Sequence, residues 1–131
     1  MKYIVWLSCL FLLSCKSDDD AKLNNKWLLD SFIRDSGSIV TNISSPLYFT
    51  FSKDSLVTVE LNVNTCTGEY TKASEELFFS NFDCTKSCCD SLISTEAYQL
   101  FTDSIKIYRI NGKTLKLLGD YGTALQLSLV E

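Results

Sequence analysis

Across residues 56–63 the side chains alternate. Val57, Val59, Leu61 and Val63 fall on one face, and Thr58, Glu60 and Asn62 on the other. A period of two belongs to a strand with one buried and one wet face, and no helix can bury it. Similar signals recur along the chain. Residues 27–33 read as a strand closed by the turn residues Asp35, Ser36 and Gly37, and residues 47–51 follow the only proline, Pro46. Ser52 to Ser55 reads as a hairpin turn. Residues 68–70 and 77–82 are shorter strand-like pieces. Residues 105–110 meet 115–118 across Asn111-Gly112, a pair suited to the positive φ angles of a type I′ turn. After a turn at 120–122, Leu125, Leu127 and Leu129 alternate in a last strand. Residues 90–105 break the pattern: Leu92, Ile93, Ala97, Leu100 and Phe101 recur at helical spacing, with Asp90 or Ser91 as N-cap. The expected fold is α+β and mostly antiparallel β. About seven strands form a curved sheet or partly closed barrel with one helix packed on it.

The composition narrows the chemistry. A hydrophobic content of 46 % argues against disorder in the body, and the length suits one domain with its own core. The chain has no histidine, which removes Ser-His-Asp and Cys-His catalysis and the usual general base near neutral pH. Acidic residues outnumber basic ones, 16 to 12, so a nucleic-acid partner is not expected. No pair among those acids stands out as an acid–base couple, so the expectation is that the chain is not an enzyme and uses no cofactor.

Lys2 precedes a mostly apolar run over residues 3–13, which has the length of a signal peptide and is too short to span a bilayer. The run ends in Leu12-Leu13-Ser14-Cys15, which resembles the lipobox of bacterial lipoproteins, with Leu13 where smaller residues are commoner. The resemblance implies a signal peptide over 1–14 and a Cys15 thiol that becomes a thioether to diacylglycerol. The acyl chains on Cys15 then hold the protein at the outer membrane, each buried methylene contributing about 0.8 kcal/mol. Lys16-Ser17-Asp18-Asp19-Asp20 follows, a solvated tether by composition. It also resembles the acidic export signal of Bacteroidetes lipoproteins, which implies display at the cell surface. The periplasmic face is the alternative. Residues 15–22 are thus read as lipidated cysteine and tether, and 23–131 as the domain.

The body resembles the META domain family, also called HslJ-like. The resemblance rests on Trp27-Leu28-Leu29 in the first strand and Asn64-Thr65-Cys66-Thr67-Gly68-Glu69-Tyr70, a shortened form of a central motif. It also rests on Cys84-Thr85-Lys86-Ser87-Cys88-Cys89-Asp90 before the helix and on Tyr108 with the Gly112 turn near the end. It implies a small, mostly antiparallel α+β fold in bacterial envelope proteins, with no assigned catalytic residues.

Four cysteines remain in the body: Cys66, Cys84, Cys88 and Cys89. In an exported protein they read as disulfide candidates. Of three connectivities, the one joining the neighbours Cys88 and Cys89, with Cys66 to Cys84, is discounted. A Cys84–Cys88 bond closes only a short loop. Cys66–Cys88 with Cys84–Cys89 is the preferred pairing, and a loop of about 20 residues contributes about 3 kcal/mol. The alternatives are a thiolate metal site for zinc or copper(I), and free or redox-active thiols, although the Cys-x-x-Cys of a redox enzyme is absent. Asp54-Ser55-Leu56, Asp90-Ser91-Leu92 and Asp103-Ser104-Ile105 match a short O-glycosylation pattern, or else a turn, a helix cap and a helix end. Most of the aromatic residues are expected in the core. The functional expectation is a non-catalytic envelope lipoprotein with a disulfide-stabilised domain, whose partner outside the membrane would be a surface protein or glycan. A module binding a small apolar ligand or a metal is the alternative.

Overall fold

A computed structural model describes residues 21–131; the signal-peptide, lipidation and acidic-tether assignments at residues 1–20 lie outside the described residues. Among the described residues the strands are β1 (Lys26–Ile33), β2 (Ile39–Val40), β3 (Tyr48–Phe51), β4 (Leu56–Glu60), β5 (Thr65–Ala73), β6 (Glu76–Cys84), β7 (Ile105–Asn111), β8 (Thr114–Gly119) and β9 (Ala124–Leu129). One helix, α1 (Leu92–Ser104), joins β6 to β7. Every strand pairing is antiparallel, in the order β1-β3-β4-β5-β6-β7-β8-β9, and β9 returns to β1. The sheet is therefore a closed eight-stranded barrel, not the curved or partly closed sheet expected from the sequence. Closure is a pairing of the two chain ends, which no local pattern announces. The short β2 flanks the far half of β1.

Inward positions alternate as the sequence suggests. Leu29 and Phe32 in β1, Phe49 and Phe51 in β3, Val57 and Val59 in β4, Leu115 and Leu117 in β8, and Leu125 and Leu127 in β9 are buried. The odd spacing of Leu29 and Phe32 is reconciled by a bulge between Leu29 and Ser31 in the β1–β9 ladder. Two details depart from the sequence reading. β4 stops at Glu60, and residues 61–64 turn, with the Leu61 N–H donating to the Asn64 carbonyl at 2.8 Å; Val63 ends up exposed. The β7–β8 turn is Gly112-Lys113, with Asn111 still paired to Thr114. Only Gly112 has positive φ there, which is the type II′ pattern.

Up-and-down connectivity sorts the loops by barrel end. The chain enters at one end beside the 52–55, 74–75 and 112–113 turns. There Leu23 is buried under the barrel, and its carbonyl accepts from Trp27 Nε1 at 3.0 Å. The opposite end carries the 61–64 turn, the 85–91 segment and α1. Ser91 caps α1 by accepting from the Ser94 N–H at 3.1 Å. The buried stripe of α1 is Ser94, Ala97 and Phe101, whereas Leu92 is exposed. Phe101 closes this end: its ring lies 4.5 Å from Phe79, 5.0 Å from Phe49, 6.0 Å from Phe82 and 6.3 Å from Phe51 between centroids. Arg34 at the end of β1 holds α1 from outside through two hydrogen bonds to the Glu96 carboxylate.

Candidate functional site

Of the motifs that carry the family resemblance, Asn64 to Gly68 and Cys84 to Asp90 meet at the α1 end of the barrel, whereas Trp27 and the Gly112 turn lie at the other end. Cys66 in β5 faces Cys84 in β6, and a disulfide joins them across a Cα–Cα distance of 4.0 Å. This overturns the preferred Cys66–Cys88 and Cys84–Cys89 pairing. The physical reason is the register of the β5–β6 hairpin. From its tip, Ala73 faces Glu76 and Tyr70 faces Phe79, which continued evenly would set Cys66 opposite Asp83. A bulge places Asn81 and Phe82 opposite the single residue Gly68 and advances β6 by one position. Asn81 takes the left-handed conformation the bulge needs, with φ 56°, and its Nδ2 donates to Glu69 Oε2 at 3.0 Å. Gly68 is fixed by space: a Cβ there would lie 2.6 Å from the Phe82 ring, which covers it and leans towards Tyr98 and Phe101.

The disulfide is shielded. Cys66 is fully buried and Cys84 half-buried, and the Tyr98 hydroxyl points at Cys84 Sγ from 3.4 Å. Burial first, and then the Asp103 carboxylate, raise the Tyr98 pKa, so the phenol keeps its proton.

Around the disulfide, Asn64 is a fully used hub. Its Nδ2 donates to the Ser87 carbonyl at 2.7 Å and to Asp90 Oδ2 at 2.6 Å. Its Oδ1 accepts from Thr85 Oγ1 and from the Ser87 N–H, both at 2.9 Å. Two donors and two acceptors are the whole capacity of the amide. Asp90 Oδ1 accepts from the backbone N–H groups of Val63 at 2.6 Å and Asn64 at 3.0 Å. Burial pushes the Asp90 carboxyl up, but the Asn64 side chain and these two N–H groups outweigh it and hold the pKa below its ordinary value. Thr85 Oγ1 also accepts from the Thr65 N–H at 3.0 Å, and Asn62 Oδ1 accepts from the Ser91 N–H at 2.9 Å. The arrangement ties the 61–64 turn, the end of β6 and the start of α1 into one clamp, with each of these polar atoms facing another polar atom of the same chain. Asn64 and Asp90 were not singled out from the sequence as partners. The signal available was position, with Asn64 two residues before Cys66 and Asp90 directly after Cys89.

Cys88 and Cys89 are exposed and their sulfurs face each other. Among the described residues no three Cys, Asp or Glu side chains converge as a metal ligand set. Of the three Asp-Ser segments, Ser55 is exposed in the β3–β4 turn, Ser91 is engaged as the helix cap, and Ser104 is half-buried at the end of α1. A groove of about 550 Å³ lies where β6 and β7 separate, lined by Leu77, Phe78, Phe79, Thr102, Ile105 and Ile107 among others. Phe78, expected in the core with the other aromatic residues, is 55 % exposed there.

A model of the META domain matches residues 21–130. Among solved structures, one from Burkholderia xenovorans superposes with a TM-score of 0.66 at 17 % identity, over 82 % of each chain. A DUF4847 family protein from Bacteroides vulgatus superposes with a TM-score of 0.61 at 14 % identity, over 81 % of this chain and 92 % of that one. At these identities the likeness speaks to the fold alone. No curated protein matches the sequence.

Proposed function

Since the chain belongs to the META domain family, we propose that it is a non-catalytic envelope lipoprotein, anchored at the outer membrane by acyl chains on Cys15 and displayed at the cell surface. The reading is carried by the place of Cys15, behind an apolar run and separated from the first described residue of the domain only by residues 16–20. Five extended residues reach about 17 Å, so the anchor keeps the domain close to the bilayer. The chain enters the barrel at the end of the 52–55 and 112–113 turns. That end therefore faces the membrane, and the disulfide, the Asn64–Asp90 clamp and α1 face outward. The non-catalytic part of the reading is supported by the clamp, whose polar groups are engaged within the fold, and by the absence of histidine from the sequence.

Mass spectrometry of the protein from envelopes, with a Cys15→Ser variant beside it, tests the anchor. The expected result is a diacylglyceryl mass on the peptide bearing Cys15 and loss of the variant from the membrane fraction. An unmodified Cys15, or a variant that stays membrane-bound, overturns it. Protease added to intact cells then separates surface display, which predicts cleavage, from the periplasmic face, which predicts protection.

One observation favours a second reading, a module for a small apolar ligand. The groove between β6 and β7 exposes Phe78 and is lined by the half-buried Phe79 and Ile107. Saturable enhancement of a naphthalene-sulfonate dye by the wild type, lost in Phe78→Ser, would support it.

A further inference from the structure

The two cysteine pairs sit in opposite environments. Cys66–Cys84 lies under Tyr98 and joins two paired strands, with Cys66 wholly buried. Cys88 and Cys89 are exposed, and no hydrogen bond holds either residue among the described residues. Their neighbours, in contrast, are fastened. Ser87 donates its N–H to Asn64 Oδ1 and accepts from Asn64 Nδ2 through its carbonyl. On the other side the Asp90 carboxylate binds Val63, Asn64 and the Asn64 amide, and the Ser91 N–H binds Asn62. The clamp thus pins residues 87 and 90 and leaves the two exposed cysteines between them in reach of solvent, whereas Cys66 of the other pair is wholly buried.

We infer that Cys88–Cys89 is a thiol–disulfide exchange site for an external thiol, insulated from the structural Cys66–Cys84 bond. Exchange needs an in-line approach of a thiolate to one sulfur, so access decides which disulfide reacts. An external thiolate attacks one sulfur of the pair, and the Cys88–Cys89 bond breaks. A mixed disulfide forms, and the released cysteine thiolate takes a proton from water. A second external thiolate attacks the external sulfur of that mixed disulfide. It releases the other cysteine thiolate, which is protonated in turn. The pair gains two electrons, and the two external thiols become one disulfide. Because the flanking clamp does not run through either cysteine, the barrel stays folded in both states.

Trypsin separates the relevant residues, since Lys72, Lys86 and Lys106 place Cys66, Cys84 and the Cys88–Cys89 pair on three peptides. The full-length protein, purified from envelopes without reductant, is titrated with reduced glutathione, quenched with iodoacetamide and mapped. The expected result is two added alkyl groups on peptide 87–106 at a glutathione concentration at least tenfold below that which unlinks peptides 54–72 and 73–86. Oxidised glutathione given to a Cys89→Ser variant is expected to leave one glutathione on Cys88 with an unchanged melting temperature. Opening of both pairs at the same concentration overturns the inference, as does a peptide 87–106 cross-linked to either other peptide. A Cys89→Ser variant that keeps its melting temperature but takes no glutathione also overturns it.

Discussion

The barrel has two dissimilar seams. Where the chain ends meet, β1 and β9 pair from Trp27–Leu129 to Ile33–Ala124, and backbone hydrogen bonds close the sheet. Where β6 meets β7, a single residue pair, Glu76–Ile107, is in register among the described residues, with Tyr108 N–H donating to the Glu75 carbonyl at 2.9 Å just beyond it. Above that point the strands part, and α1 fills the gap with Phe101 against Phe79 and Phe82. One seam is held by the ladder and the other by side-chain packing. A closed sheet therefore does not need continuous pairing, provided that a buried aromatic residue takes over where the ladder stops.

The largest effect that tests this contrast is expected from Phe101→Ala. Removing a fully buried ring costs about 4 kcal/mol, read from urea unfolding. Hydrogen exchange on the folded variant should show β6 and β7 amides losing protection while β1 and β9 keep theirs. Equal loss on both seams would mean that the barrel opens as one unit and that the seams do not differ.

A smaller loss, about 2 kcal/mol, is expected from Asn64→Ala, which takes the side-chain amide away from Asp90 Oδ2 and leaves the Ser87 backbone without partners, while Asp90 Oδ1 keeps the N–H groups of residues 63 and 64. This variant also has a pH signature. The folded pKa of Asp90 lies below its ordinary value of 3.8, so the folded protein binds that proton less readily than the unfolded chain. Its stabilisation is complete above that ordinary value and is lost as pH falls through the lower folded one. Wild type should lose stability more steeply than Asn64→Ala on acidification below about pH 4. Parallel acid curves would assign the acid sensitivity elsewhere, for example to Glu96, whose pKa the Arg34 hydrogen bond also lowers. The smallest effect is expected from Ser91→Ala, about 1 kcal/mol for a lost N-cap. It should raise exchange in the first turn of α1 and leave Phe101 in place; a loss as large as that of Phe101→Ala would tie the cap to the seam itself.

Much of this fold is legible in the chain because strand and helix periods are local. The alternation around Val57 and Val59, the helical spacing of Ala97 and Phe101 and the Ser91 cap each depend on residues a few positions apart. So does the turn at Gly112, although there the two residues of the turn are displaced by one. Local periodicity misleads at Val63 and Leu92, where an apolar residue continues a pattern past the point at which the structure stops burying it. At the candidate site the sequence marked the four cysteines and Asn64, but not how they meet.

The eight barrel strands, the helix, their order and most of their apolar faces follow from the sequence by itself, because each is stabilised by the periodic burial of its own residues; the two-residue β2 does not. Tertiary structure alone decides three things: that β9 returns to β1, that Cys66 finds Cys84, and that Asn64 finds Asp90. Each is a register between distant segments. In the second case one extra residue at the Asn81–Phe82 bulge moves the partner of Cys66 from an aspartate to a cysteine. The bulge flips the phase of the side chains beyond it, from Leu77 and Phe79 to Phe82 and Cys84, but which residue of β5 each one meets is set only by the pairing of the two strands.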